Sequence, residues 1–302
     1  MKKFLGLILL LSIACSNKKP MSPEEKAAYI KQVDVWHQTR LEELSREDGW
    51  LNLAGLLWLE PGMNSFGSDT TNNLVFPAGK ISGQAGYFVF TDGSVKILTR
   101  PGAAITYQGN PVKEMVVFHP DSMNTPWLAS GSLRWNIIKR EDKIGIRLRD
   151  LESNLQLNFP GIERYPVDPD YRVETKLVPS DTLKTIPVAT IIGQTLMEPV
   201  LGILSFEIKG KKHSLLAMDN GEKIFLMFAD STSGNETNGG GRYLYVKKPG
   251  PDGKVIIDFN EAINPPCAFT DFATCPLPPK ENYMQLNLRA GEKMFKQSNG
   301  SH

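Results

Sequence analysis

Six polar residues, Asp230, Glu236, Arg242, Asp258, Asn260 and Asn264, crowd into one stretch near the C-terminal end of the chain. Asp230 and Glu236 supply the acid pair that general acid–base chemistry needs, or that would hold a divalent cation to activate water. Gly239-Gly240-Gly241 would let backbone N–H groups approach an anion, and Arg242 could clamp one with two parallel hydrogen bonds. The segment from Asp230 to Arg242 is too long and polar for a tight hairpin, and long loops on β scaffolds often carry function. A strand-like run, Tyr243 to Val246, follows it where a nucleotide P-loop would need a helix. In a purely structural role the same residues would close local turns, and Arg242 would pair with a carboxylate. No residue is singled out as catalytic.

Cys267 and Cys275 stand eight positions apart in Asn264–Pro279, a segment whose five prolines exclude regular helix or strand. Three readings stay open: a structural disulfide, two thiols held apart, or a reactive or metal-binding thiol. In an oxidising compartment the pair is expected to form a disulfide, which by the chain-entropy relation contributes about 2.5 kcal/mol. The third reading is the weakest, because no histidine lies nearby in sequence to activate a thiolate and two sulfurs make an incomplete metal site.

The familiar chemical motifs are missing. The chain has no Gly-x-Ser-x-Gly, Gly-x-x-x-x-Gly-Lys, Gly-x-Gly-x-x-Gly, His-Glu-x-x-His or Cys-x-x-Cys, and only four dispersed histidines. No cofactor and no resident metal is therefore expected. With 34 basic against 33 acidic residues, no net field would draw the protein to nucleic acid.

The elements that must position these residues are mostly strands. Ser22-Pro23-Glu24-Glu25 predicts a capped helix start, and Ile30, Val33, His37, Leu41 and Leu44 continue at helical spacing to about Arg46. His37 reads as a structural histidine on that stripe. Beyond Trp50, short β-branched and aromatic runs alternate with Gly, Asn and Pro. The reading is mainly β: antiparallel sandwich or barrel halves with one N-terminal amphipathic helix. The expected division is a signal peptide over 1–14, a lipidated tether over 15–22, the helix and first β-rich half over 23–165, and a second half carrying the polar site over 188–297. Prolines between Pro160 and Pro187 mark the break.

Met1 to Ala14 combines Lys2 and Lys3, an apolar run from Phe4 to Ile13 and a small residue at Ala14, the pattern of a secretory signal. Cys15 follows directly, and Leu11-Ser12-Ile13-Ala14-Cys15 resembles a bacterial lipobox, which implies lipidation of Cys15. Loss of the two signal lysines moves the formal charge from +1 to −1. The expected location is the cell envelope, anchored by lipid and facing the periplasm, with the outer membrane favoured because no Asp adjoins Cys15.

Longer stretches carry a family resemblance. Gly49-Trp50-Leu51-Asn52-Leu53-Ala54-Gly55-Leu56, Phe228 through Thr237, Gly240-Gly241-Arg242-Tyr243-Leu244, Asp258-Phe259-Asn260, Asn264 through Phe269, Cys275-Pro276-Leu277-Pro278-Pro279 and Ala290-Gly291-Glu292-Lys293 are similar to the bacterial domain-of-unknown-function 1684 family. The resemblance implies that these polar stretches belong to one domain type, and it implies no activity. Taken together, the residues point first to an envelope protein that binds a small polar or anionic ligand, glycan fragments among the candidates, in a cleft of the β scaffold. The alternatives are a hydrolase using the Asp230–Glu236 pair, with or without a divalent metal, and a structural lipoprotein that engages a partner protein.

Overall fold

The computed structural model describes residues 21–122, 125–180, 182 and 184–296. The signal segment, Cys15, most of the 15–22 tether and position 297 lie outside the described residues.

Helix α1 (Pro23–Ser45) starts as its sequence predicts. Ser22 Oγ accepts from the Glu25 N–H at 3.2 Å, and the Glu25 carboxylate accepts from the Ser22 N–H at 2.7 Å, which closes a capping box. At the other end the chain turns so sharply that a Cβ on Gly49 would lie 2.2 Å from the Leu44 carbonyl oxygen. The buried side chains are Tyr29, Val33, His37 and Leu44, so Tyr29 takes the place that the spacing gave to Ile30. His37 is held toward its neutral form by burial and by the nearby Arg164 charge, consistent with a structural role.

Eleven strands follow: β1 (Leu53–Trp58), β2 (Gly62–Gly67), β3 (Leu74–Val75), β4 (Gly86–Thr91), β5 (Ser94–Thr99), β6 (Thr106–Tyr107), β7 (Asn110–Pro111), β8 (Glu114–Phe118), β9 (Leu128–Ser130), β10 (Leu133–Arg140) and β11 (Lys143–Asp150). They form two sheets, ordered β1-β11-β10-β9-β6-β7 and β3-β2-β4-β5-β8. Alternation along the strands turns Phe66, Phe88, Ile97, Trp135, Ile146 and Leu148 into one shared core.

The remaining strands are β12 (Arg172–Pro179), β13 (Thr185–Ala189), β14 (Thr195–Ile208), β15 (Lys211–Asn220), β16 (Lys223–Asp230), β17 (Arg242–Lys247), β18 (Lys254–Asp258) and β19 (Tyr283–Met284). The main sheet runs β17-β16-β15-β14-β12-β18, and β18 comes back against β17, so the sheet is a nearly closed barrel. The chain is thus mainly β with one long N-terminal helix. The sequence reading differs at 160–187, taken as a break. Arg172–Pro179 is a barrel strand there, because its prolines fall at or beyond its ends and Val173 and Thr175 still point inward. The barrel sheet accordingly begins at Arg172.

Candidate functional site

Asp230 ends β16 and Arg242 opens β17, so the strand pair brings them face to face although a long loop separates them in sequence. Arg242 Nη2 donates to Asp230 Oδ2 at 2.8 Å, and both side chains are fully buried. Buried as they are, neither group is open to a ligand, although Arg242 Nε has no partner of its own. Arg242 also donates to the carbonyls of Leu288, at 2.9 Å, and of Ala290, while Asp230 Oδ1 accepts from the Thr232 N–H and hydroxyl at 2.9 and 2.7 Å. The pair therefore fastens the C-terminal segment to the barrel. Gly241, with φ +82°, serves close approach: a Cβ there would meet Pro278 Cγ at 2.5 Å and the Phe228 carbonyl oxygen at 2.6 Å.

Asp258 and Asn260 form a second group, below α1. The Tyr29 hydroxyl donates to Asp258 at 2.7 Å, and Asn260 accepts from the Asp168 N–H at 3.0 Å and donates to the Asp168 carbonyl at 2.9 Å. Burial first, and then Asp258, pushes the Tyr29 phenol well above its ordinary range. Asn264 belongs to a third group. Its N–H and side-chain amide donate to Glu292 Oε2 at 2.6 and 3.0 Å, and Arg40 Nε lies 3.5 Å from Glu292 Oε1. Burial raises the Glu292 carboxyl, and Arg40 works against that shift.

Glu236 alone of the six lines a cleft. About 550 Å³ opens between Glu163, Tyr165, Asn235, Glu236, Lys293 and Phe295. The Tyr165 hydroxyl donates to Glu236 Oε2 at 3.0 Å, and Arg289 Nη2 donates to Oε1 at 2.8 Å. Arg289 foremost, and Tyr165 as well, holds the Glu236 carboxyl below its usual range, and burial pushes the Tyr165 phenol up to about 12. Lys293 Nζ sits 3.4 Å from Glu163 Oε2 and 5.6 Å from the Tyr165 ring centroid. The cleft thus offers fixed donors and acceptors beside an aromatic wall, since Phe295 packs on Phe269 with ring centroids 4.9 Å apart.

The sequence reading did not reach Tyr165, Arg289 or Lys293 as site residues, nor Tyr29 and Arg40 as polar partners. Their signal is long-range: Tyr29 meets Asp258 across 229 positions. Lys293 at least lay within the Ala290-Gly291-Glu292-Lys293 stretch already quoted for the resemblance.

Cys267 and Cys275 are free thiols here, the first half-buried and the second buried, with the Cys267 N–H donating to Cys275 Sγ at 3.2 Å. The hydrogen bond between the two thiols comes first in setting their acidities: it holds Cys275 below its ordinary value and Cys267 above. Among the described residues, no three His, Cys, Asp or Glu side chains group to hold a metal ion.

All six of these polar residues and both cysteines fall within residues 157–293, which match the family model described as protein of unknown function (DUF1684). Through this part the chain belongs to the DUF1684 family. No curated protein matches it significantly. A similar solved structure is the solution NMR structure of an uncharacterized protein of Haloarcula marismortui, 32% identical, covering 45% of this chain and 77% of that one with a TM-score of 0.38. The DUF1684 region contains the whole barrel sheet and the Glu236 cleft except for its wall at Met294, Phe295 and Lys296. Sheets β1–β11 precede it.

Proposed function

We propose that this DUF1684 protein is a lipid-anchored cell-envelope protein that binds a small hydroxylated or charged ligand in the Glu236 cleft. One observation carries the reading. Glu236, drawn from sequence as a site residue, is fixed by Tyr165 and Arg289 at the edge of an open cleft, while the five other candidates are buried and bonded internally. A site on a rigid scaffold needs such preset groups, because ordering them during binding would cost affinity. Lys293 supplies donors, Glu163, Glu236 and the Tyr165 hydroxyl oxygen supply acceptors, and Phe295 gives the ring of a sugar or a similar compact molecule an apolar surface. The signal-like Met1–Ala14 segment and Cys15 support the envelope location and the anchor, and an oxidising envelope would join Cys267 to Cys275.

A thermal-shift screen with monosaccharides and small organic acids tests the site. Stabilisation by one class, lost in Glu236→Gln, is the expected result. No stabilisation by any compound, or a shift unchanged in Glu236→Gln, removes the proposal. The anchor is tested separately by fractionating cells that express the chain or its Cys15→Ser variant. The wild-type chain should sediment with membranes and the variant should not.

A further inference from the structure

A larger cleft lies outside the DUF1684 match, on the first β-rich half. About 1000 Å³ opens between the end of α1, the β6–β7 hairpin, the segment before β9 and the start of β10, with Arg46, Tyr107, Gln108, Trp127 and Arg134 among its walls. Its charge pattern is unusual. On the outward face of β10 and β11, Arg134 stands directly opposite Arg149, and Arg140 opposite Lys143. Like charges facing each other across an antiparallel pair destabilise it. Arg134, Arg140, Arg147 and Arg149 have no carboxylate within 4 Å among the described residues, and Asp48 favours the Arg149 charge only from beyond that distance.

Arg149 is the sharpest case, because it is only 4% exposed. It donates to Asn52 Oδ1 at 2.8 Å and to the Gly49 carbonyl, while its buried Nε has no partner. Asn52 in turn donates to the carbonyls of Arg46 and Glu47 at 2.9 and 3.0 Å. The Arg149 guanidinium also lies 5.5 Å from the centre of the Trp127 ring. One buried cation therefore fixes two walls of the cleft, the turn after α1 and the indole. Glu47 and Asp48 also line the cleft, but the Asp48 carboxylate is bound at 3.0 Å by Arg46. Arg46 and Arg134 balance Glu47 and Asp48 on the walls, so the buried Arg149 behind them leaves one positive charge in excess, and a concave, partly apolar site concentrates its field.

The side chains name a ligand class. Trp127 is 41% exposed and presents a flat apolar surface, with Tyr107 beside it. Arg134 gives Nη1 to the carbonyls of Gly131 and Leu133 and keeps Nη2 without a protein partner. Gln108 and Glu47 add hydroxyl-binding groups. We infer that this cleft binds an acidic sugar, with its carboxylate or phosphate on Arg134 and its ring against Trp127. The site is independent of the Glu236 cleft.

The experiment follows intrinsic tryptophan fluorescence of the full chain during titration with glucuronic acid, glucose 6-phosphate, glucose and inorganic phosphate, repeated at low and high salt. Both acidic sugars should bind, at least tenfold tighter than either glucose or phosphate alone, and should weaken as salt rises. Arg134→Gln and Trp127→Ala, both on the surface and checked for unchanged melting, should each weaken binding at least tenfold, the second read by titration calorimetry because it removes the reporting indole. Glu236→Gln should leave it unchanged. The inference is overturned if neither acidic sugar binds, if phosphate alone binds as tightly as glucose 6-phosphate, or if the two cleft variants bind like the wild type. Loss of acidic-sugar binding in Glu236→Gln but not in Arg134→Gln would move the ligand to the other cleft and overturn this inference while sparing that proposal.

Discussion

Arg242 and Arg149 are both buried arginines, one in each β-rich half, and they are treated differently. Arg242 has a carboxylate at 2.8 Å and backbone carbonyls on both terminal nitrogens. Arg149 has carbonyl oxygens only and another arginine across the strand pair, and both arginines leave a buried Nε without a partner. A buried ion pair is a fastening, because removing one member leaves a bare charge in the interior. A buried cation without a carboxylate has already incurred that desolvation, so its presence calls for a different reason, which the adjoining cleft provides. The comparison separates polar residues that hold the barrel together from polar residues held in readiness.

The largest effect should come from the fastening. Arg242→Met leaves Asp230 unpaired in the core and is expected to lower unfolding free energy by about 3–5 kcal/mol in urea melts. A loss below about 1 kcal/mol would break the comparison from that side. Next comes the cysteine pair: if Cys267 and Cys275 are oxidised, adding reductant should lower stability by about 2.5 kcal/mol, with no reductant effect in a double Ser variant. Arg149→Met should cost less than about 1 kcal/mol, because the loss of two hydrogen bonds is offset by relief from burying an unpaired charge beside Arg134. If it costs as much as Arg242→Met, the two arginines do the same work.

The last effect is read as a slope in pH and not as a single loss. Burial, and secondarily Asp258, pushes the Glu261 carboxyl up from 4.5 to about 7. A raised acid binds its proton more tightly in the folded chain, so Glu261 should make stability fall as pH rises from 4.5 to about 7, and add no further change above. Urea melts at several pH values should show Glu261→Gln gaining on the wild type across that window. A constant difference between the two would show that Glu261 titrates normally.

Much of the fold was legible in the sequence, for local reasons. The Ser22 cap, the Lys209-Gly210 hairpin tip and the alternation in Leu133–Lys139 and Ile144–Leu148 each write their structure within a few residues. Strand β12 was hidden because proline-rich neighbours on both sides masked eight residues of ordinary alternation. The polar segment after Phe228 was found, but the sequence could not show which of its members face inward. Asp230 and Glu236 sit six positions apart in similar company, and only the strand partner decides that Arg242 buries the first while Arg289 and Tyr165 hold the second at a cleft. The arginine-lined cleft escaped notice for a related reason. Its arginines are scattered through a chain of balanced charge, and only the register of β10 against β11 collects them.

The attachment of α1 has a bearing on timing. The helix is the earliest described element of the chain, yet Tyr29 and Arg40 are secured by Asp258 and Glu292, near the other end. Contacts across 229 residues close late, since the loop entropy must be met before they form. During synthesis from the N-terminus, then, a nascent chain carries its first helix without a seat, and the barrel's final strand and tail arrive together with the groups that dock it. Seating of α1 waits until Asp258 and Glu292 have been made.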